Sequence, residues 1–261
     1  MTAPKNPLSQ HWLRDEGTLR RIVEAAELTS ADTVLEIGPG TGALTAYLSD
    51  RAGWVIAVEA DGRLAGQLSQ QVGTGNVEVV HGDILEFDFT SLPESYKVVA
   101  NIPYHITSRL LRLLCQDGHA PTVAVLLVQK ELAQRVVAEP GDMSLLSFSV
   151  QYFAHPRLLD TVSRELFDPV PDVDSAILRV TPRQEPPFSA DTHRLFRLVK
   201  AGFSQRRKKL ANALSGGLGI HKSQAIAMLE AADIAPDARA QELSLAKWQA
   251  LYTAANKQGK L

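Results

Sequence analysis

A chain of 261 residues with 45% hydrophobic and 21% charged content is long enough for one substantial core and a smaller appendage. Its single cysteine, Cys115, excludes an internal disulfide framework and any CxxC zinc site. No apolar run approaches membrane-spanning length, and Met1-Thr-Ala-Pro-Lys-Asn-Pro7 lacks the charged start and apolar centre of a signal peptide, so a reducing, cytoplasmic setting is expected. The net charge of −2 divides unevenly: Thr192 to Lys222 holds eight Lys/Arg and no Asp/Glu, leaving 19 basic and 29 acidic residues elsewhere. An acidic body with a basic arm points to a polyanion contact in one place, although a charge run is also the ordinary dress of a solvated helix face.

In chain order, Leu19, Ile22, Val23 and Ala26 sit at helical spacing and predict an amphipathic helix. Short apolar runs then recur at Thr33 to Ile37, Trp54 to Val58, Val77 to Val80, Tyr96 to Ala100 and Val123 to Val128, separated by helix-compatible stretches such as Ala43 to Leu48 and Leu64 to Gln71. Such alternation predicts an α/β fold, an open parallel sheet with helices on both faces. Ser147 to Phe153 and Ala176 to Val180 read as further strands. The polar, proline-rich segment Thr181-Pro-Arg-Gln-Glu-Pro-Pro187 places a domain boundary, giving domains 1–183 and 184–261. Beyond it, Leu195, Leu198, Val199, Phe203, Leu210 and Leu214 suit helices.

The strand ends carry the chemistry. Glu36-Ile-Gly-Pro-Gly-Thr-Gly42 follows the first strand, and its glycines permit a tight turn and close approach of a ligand to bare backbone. Alone this is weak, because Gly38-Pro-Gly40-Thr-Gly-Ala43 also fits a dinucleotide pattern. Glu59, 17 residues after Gly42, can accept both hydroxyls of a ribose, which suits a nicotinamide dinucleotide and S-adenosylmethionine equally. At the third strand's end, Asp83 can accept from an adenine amine while Ile84 covers one ring face and Ala60 the other; the plainer role for Asp83 is a helix cap. Asn101-Ile-Pro-Tyr104 is the most specific signal. The Asn101 carbonyl and a backbone carbonyl of the Ile102-Pro103 turn can accept both N–H bonds of an exocyclic amine, drawing its lone pair out of conjugation, while Tyr104 offers a stacking face. A plain strand-ending turn with a buried Tyr is the competing reading.

At these residues the sequence resembles the ribosomal RNA adenine N6-dimethyltransferase family, and within it the small-subunit dimethyladenosine transferases. The resemblance runs through Ser9-Gln-His-Trp-Leu-Arg-Asp15, Leu35-Glu-Ile-Gly-Pro-Gly-Thr-Gly-Ala-Leu-Thr45, Val58-Glu-Ala-Asp61, Gly82-Asp-Ile-Leu85, Val99-Ala-Asn-Ile-Pro-Tyr104, Gln129-Lys-Glu131, the stretch from Phe167 to Ala176, and Phe203-Ser-Gln-Arg-Arg-Lys-Lys209. It implies a Rossmann-like class I S-adenosylmethionine methyltransferase sheet with a small C-terminal helical domain that binds RNA. It implies further that Gln10, His11, Leu13, Gly38, Gly40, Glu59, Ala60, Asp83, Ile84 and Asn101 hold the cofactor. Phe167 is implied to face the flipped adenine opposite Tyr104, in a catalytic group completed by Asn101, Ile102 and Pro103. The basic arm, Arg194, Arg197, Lys200, Arg206, Arg207, Lys208 and Lys209, is expected to hold phosphates. Where the family carries Gln-Asn-Phe-Leu this chain has Gln10-His-Trp-Leu13; an imidazole still donates one hydrogen bond and Trp12 fills the volume of a Phe. His105, where Asn is commoner, reads as a turn histidine.

The implied reaction is two methyl transfers from S-adenosylmethionine to N6 of each of two adjacent adenines in an unpaired loop near the 3′ end of small-subunit (16S) rRNA, on a partly assembled particle. It needs no metal and no covalent nucleophile, and the product proton can pass to water. Antibiotic-resistance enzymes acting on large-subunit (23S) rRNA share the sheet motifs, but the basic Phe203 to Lys209 segment resembles the small-subunit branch. An oxidoreductase using a nicotinamide cofactor would leave Asn101 to Tyr104 without a task, and a non-catalytic RNA-binding assembly factor is the remaining alternative. A monomer is the default expectation.

Overall fold

The computed structural model describes residues 11–73, 75–103, 106–116, 119–205 and 207–261. The chain forms two compact units, Met1–Gln134 with Ala154–Pro182, and Arg135–Phe153 with Arg183–Leu261.

In the first unit, Asp15 caps α1 (Glu16–Ala25) by accepting the Thr18 backbone N–H at 2.7 Å, and the helix buries Leu19, Ile22 and Val23 as their spacing predicts. The strands β2 (Thr33–Ile37), β3 (Trp54–Glu59), β4 (Val77–His81), β5 (Lys97–Asn101) and β6 (Val123–Gln129) pair in parallel, and the helices α2 (Ala43–Ser49), α3 (Gly62–Val72) and α4 (Thr107–Gln116) connect them. Two antiparallel strands, β7 (Ala154–Val162) and β9 (Ser175–Pro182), complete a seven-stranded sheet of order β4-β3-β2-β5-β6-β9-β7. A separate pairing joins β1 (Trp12–Leu13) to β8 (Phe167–Asp168).

Central strands buried on both faces explain the unbroken apolar runs. Val34, Val55, Val99 and Val125 cluster with Ile22, Leu44 and Leu48, while their strand neighbours Leu35, Val98, Ala124 and Leu126 are buried as well. Each Val, Leu or Ile among them contributes about 1.5–3 kcal/mol relative to exposure.

The connectivity decides where a ligand can sit. The chain runs outward from β2 to β3 and β4, then returns to place β5 on the other side of β2, with Ile37 level with both Val58 and Ala100. The order reverses between β2 and β5, and their carboxyl ends open a crevice there. Register also selects a face. Glu36 is level with Ala57 and Val99, so Glu59 and Asn101, each two residues further along its own strand, point to the same side of the sheet as Glu36.

The expected strand Ser147 to Phe153 is instead a helix, α6 (Leu145–Phe153). Its β-prone composition is overruled by a cap: the Ser147 hydroxyl oxygen accepts the Ser144 N–H and the Ser144 hydroxyl oxygen accepts the Ser147 N–H, at 2.5 and 3.2 Å. Inside the helix Ser149 satisfies its buried hydroxyl by donating to the Leu145 carbonyl at 2.6 Å. The strand lies just beyond, as β7.

The second unit is helical. α6 packs with α7 (Thr192–Phe203), α8 (Leu210–Leu218), α9 (Lys222–Ala231) and α10 (Leu245–Lys257) around Phe148, Tyr152, Leu195, Leu198, Leu214, Trp248 and Leu251. The backbones of α7 and α8 approach closely because residue 217 is Gly; a Cβ there would lie 2.6 Å from the Ala201 Cβ. This unit also corrects the expected cut at 183/184. Arg135–Phe153 belongs with the later helices because Met143, Phe148 and Tyr152 bury their side chains in that cluster. α5 (Lys130–Val136) spans the first crossing point.

Candidate active site

Three strand ends meet at the reversal point of the sheet. Gly38, Glu59, Asn101, Ile102 and Pro103 line one cavity of about 80 Å³, closed on another side by His11, Trp12 and Leu13. Gly40 lies under the Trp12 ring: its φ is +60°, and a Cβ would come within 2.0 Å of the indole, so only Gly keeps both the left-handed turn and the contact. Glu59 is buried and braces the loop, accepting the Gly40 N–H at 3.0 Å and the Asp61 N–H at 2.9 Å. Each carboxylate oxygen retains a lone pair for a further donor.

Asn101 ends β5, and its amide donates to the His11 carbonyl at 3.4 Å, which leaves Oδ1 as its acceptor. The turn after it assigns its carbonyls. The Pro103 carbonyl accepts the Ile106 N–H at 3.2 Å and the Thr107 hydroxyl at 3.3 Å, both at the start of α4. Among the described residues none donates to the Ile102 carbonyl, which leaves it as an acceptor on the turn for an amine.

Ala60, Asp83 and Ile84 follow the ends of β3 and β4 but do not line this cavity. The Gly82 N–H donates to the Glu59 carbonyl at 2.9 Å and holds the two ends together. Asp83 is exposed and accepts the Leu85 N–H at 2.9 Å through Oδ1, a local capping role that leaves Oδ2 available; Ile84 is buried. His11 Nδ1 lies 2.7 Å from the Pro169 carbonyl. A carbonyl only accepts, so Nδ1 carries the proton, and the one N–H of a neutral ring is spent there and not on a ligand. Phe167 is 4% exposed and packs with Leu13, Leu19 and Ile177 while pairing with Leu13 through β1 and β8. In this structure its ring is core. Gln10, Tyr104, His105 and Arg206 lie outside the described residues.

Sequence reasoning passed over two walls of the cavity, Trp12 and Glu36. Glu36 is 1% exposed, and although the Thr45 hydroxyl lies close enough to temper its charge, neither Glu36 Oε2 nor that hydroxyl makes a hydrogen bond of good geometry. Burial pushes the Glu36 carboxyl up to about 8, partly offset by the Thr45 hydroxyl and reinforced by the Glu59 charge. A charged residue inside an otherwise apolar buried strand was the available signal.

In the second unit Arg194, Arg197 and Lys200 are exposed along α7, and Arg207, Lys208 and Lys209 are exposed before α8. Arg194 lies 3.9 Å from Asp191 and donates to Asn256 at 3.3 Å. Among the described residues no carboxylate pairs with the other five.

The model of the ribosomal RNA adenine dimethylase family matches residues 2–257. The chain belongs to that family. As a ribosomal RNA adenine dimethylase it is 43% identical over 252 residues to the ribosomal RNA small subunit methyltransferase A of Dehalococcoides mccartyi, covering 94% of this chain and 86% of the relative. It is 42% identical to the protein of that name from Rippkaea orientalis, covering 95% of this chain and 96% of the relative. Among solved structures, a dimethyladenosine transferase from Plasmodium falciparum superposes with a TM-score of 0.82 at 30% identity, covering 95% of this chain and 98% of the other. The 23S rRNA methyltransferase ErmE gives 0.74 at 32% identity, covering 94% and 99%. The adenine dimethylase is thus a class I methyltransferase acting on ribosomal RNA, with S-adenosylmethionine as methyl donor. Its cavity suits such a donor: Gly38 brings bare backbone to the cavity wall beside Asn101 and Pro103, and Glu36 presents an unpartnered buried acceptor. Among the described residues no group of three His, Cys, Asp or Glu side chains could hold a metal ion, and no helix is long and apolar enough to cross a membrane.

Proposed function

We propose that this adenine dimethylase modifies two adjacent adenines in a loop near the 3′ end of 16S rRNA, in the cytoplasm and as a monomer, on a partly assembled small subunit. The observation that carries the chemistry is the pair of acceptors at the end of β5: Asn101 Oδ1 and the Ile102 carbonyl, with the Pro103 carbonyl already committed to α4. The exposed side chains Arg207, Lys208 and Lys209, which pair with no carboxylate among the described residues, support the small-subunit choice, because they belong to the Phe203 to Lys209 segment by which the sequence resembles that branch.

When bound, S-adenosylmethionine supplies an electrophilic methyl group whose bond to sulfur breaks as the bond to N6 forms. Glu59 holds the ribose through the lone pairs its backbone bonds leave, Asp83 accepts the adenine amine, and Ile84 and Ala60 cover the ring. Gln10, His11 and Leu13 border the amino-acid end with the Gly38 to Gly40 backbone. Asn101 and Ile102 receive the two N–H bonds of the target amine, raising electron density on nitrogen and favouring a pyramidal geometry that conjugation with the ring opposes. Tyr104 stacks on the extruded base, and Phe167, whose ring packs in the core here, is the aromatic that the family resemblance sets opposite it. A stacked adenine cannot reach a crevice at strand ends, so the substrate is a loop or a flipped base.

The direct test is methyl transfer from labelled S-adenosylmethionine to unmethylated small subunits, with nucleoside mass spectrometry of the product. N6,N6-dimethyladenosine in 16S rRNA is expected. Label appearing only in large-subunit RNA would replace the substrate, and bound cofactor without transfer on either particle would make the protein a non-catalytic assembly factor.

A further inference from the structure

Among the described residues three large apolar side chains stand exposed: Trp54 at 41%, Leu159 at 45% and Val170 at 57%. A single exposed hydrophobe is ordinary, so what matters is where each one stands. Trp54 opens β3 at the end of the sheet away from the cavity, and Leu159 lies within β7, the last strand. Val170 is placed differently. Gln129 at the end of β6 and Val162 at the end of β7 are both level with Ser175, the first residue of β9. The chain from 163 to 174 therefore runs along the carboxyl ends of the parallel strands, where the cavity opens. Within that stretch Phe167 and Asp168 pair with Leu13 and Trp12, which wall the cavity.

The Val170 tip is held from both sides. Before it, the Pro169 carbonyl accepts from His11 Nδ1 at 2.7 Å, and Asp168 is paired with Arg14. After it, Pro171 is buried and the Asp172 carbonyl accepts from Arg164 at 3.1 Å. The two prolines fix φ on either side of Val170. A residue so constrained loses little freedom on meeting a partner. The carboxylates of the segment, Asp168, Asp172 and Asp174, are matched in number by Arg14, Arg164 and Lys130, the last lying 4.0 Å from Asp174. An apolar point in a charge-balanced collar suits the flat face of a base and not a phosphate.

We propose that Val170 is a wedge that enters the RNA stack beside the target adenine and fills the space the extruded base leaves. This deepens the reading of the acceptor pair as the seat of an extruded adenine and rests on it. A base that leaves a stack gives up its contacts with both neighbours, and an apolar side chain in the vacated place restores part of them. The gain is realised only once the base is out, so Val170 raises the rate of transfer more than the affinity for RNA.

Single-turnover methyl transfer at saturating particle, on whichever ribosomal particle the wild-type protein modifies, tests this with Val170→Ser and Val170→Ile. The Ser variant should be about tenfold slower, from partial loss of a buried valine's transfer free energy, and the Ile variant should match wild type. The affinities for the particle and for S-adenosylhomocysteine should stay near wild type, because the basic arm and the cavity are untouched. With S-adenosylhomocysteine bound, 2′-hydroxyl acylation of the particle should mark the nucleotides flanking the target more strongly with wild type than with Val170→Ser. A Ser variant as fast as wild type, a loss that Ile does not restore, or a loss confined to particle affinity overturns the wedge and leaves the acceptor pair standing. A slower rate with unchanged RNA reactivity also overturns it, by moving Val170 to a contact outside the RNA. No transfer by the wild-type protein to either particle overturns both.

Discussion

Replacing Asn101 by Ala removes one of the two acceptors placed for the target amine and little else. The side chain makes one long hydrogen bond, 3.4 Å to the His11 carbonyl, so its loss should cost at most about 1 kcal/mol of stability. In a chain of this length that is a fall in Tm of about 2–4 °C. Deleting one preorganised hydrogen-bonding group at the reacting centre costs about 10²–10³ in rate, or roughly 3–4 kcal/mol. The two effects differ enough in size to be separated. Single-turnover methyl transfer to unmethylated small subunits should slow by about two to three orders of magnitude. The affinity for S-adenosylhomocysteine, measured by calorimetry, should change only a few-fold, because Gly38, Gly40 and Glu59 are untouched. A single-turnover rate equal to wild type would refute the acceptor pair, and an equal loss of cofactor affinity and rate would reassign Asn101 to binding alone.

Glu36 also sets a stability profile. Its folded value is raised from 4.5 to about 8, so between those values the native state holds a proton that the unfolded chain has lost. Stability of the cofactor-free protein should therefore fall as pH rises through that window and level off above it. Melts of Glu36→Gln should lack this term, and equal slopes for the two proteins would contradict the assignment. Gly40→Ala places a Cβ 2.0 Å from the Trp12 ring at a φ of +60°; thermal melts should show a loss of about 1–3 kcal/mol, and cofactor binding should fall with it. Replacing Arg207, Lys208 and Lys209 together by Ala should weaken RNA binding and flatten its salt dependence by about two to three units of slope, with cofactor affinity unchanged. Phe167→Leu keeps most of the buried volume at a cost of about 1 kcal/mol, so a large fall in turnover without unfolding would show the ring reaching the base.

The parallel part of the fold was legible because a strand buried on both faces has to be written as a continuous apolar run. β2 matches its predicted range, and the strands that follow it differ by a residue at one end or both. Ser147 to Phe153 failed for the same reason in reverse: an equally apolar run is a helix because two serines close its first turn, information that periodicity does not hold. β7 escaped notice because Pro156 and the irregularity between Leu158 and Asp160 break its alternation, both tolerated on the last strand of the sheet. At the cavity, glycines and the Asn101 turn announce themselves by residue type. Glu36 was hidden inside a glycine motif, where attention goes to the backbone, and the commitment of the Pro103 carbonyl depends on how α4 begins. The placement of the His11 proton depends on Pro169, a residue 158 positions away.

The second unit is assembled from two stretches of chain, one inserted between α5 and β7 and one at the end. A gene shortened after Pro182 would still encode α6, with Phe148 and Tyr152 deprived of the helices that cover them. Such a product should come out of cells as inclusion bodies more readily than as a free-standing catalytic module. Grafting this unit onto another methyltransferase would require splicing at three junctions, near 134/135, 153/154 and 182/183, in place of a simple tail exchange. Recombination at one breakpoint near 182/183 would carry the basic arm away but leave α6 behind, so the arm cannot be traded between relatives together with the whole of its own core.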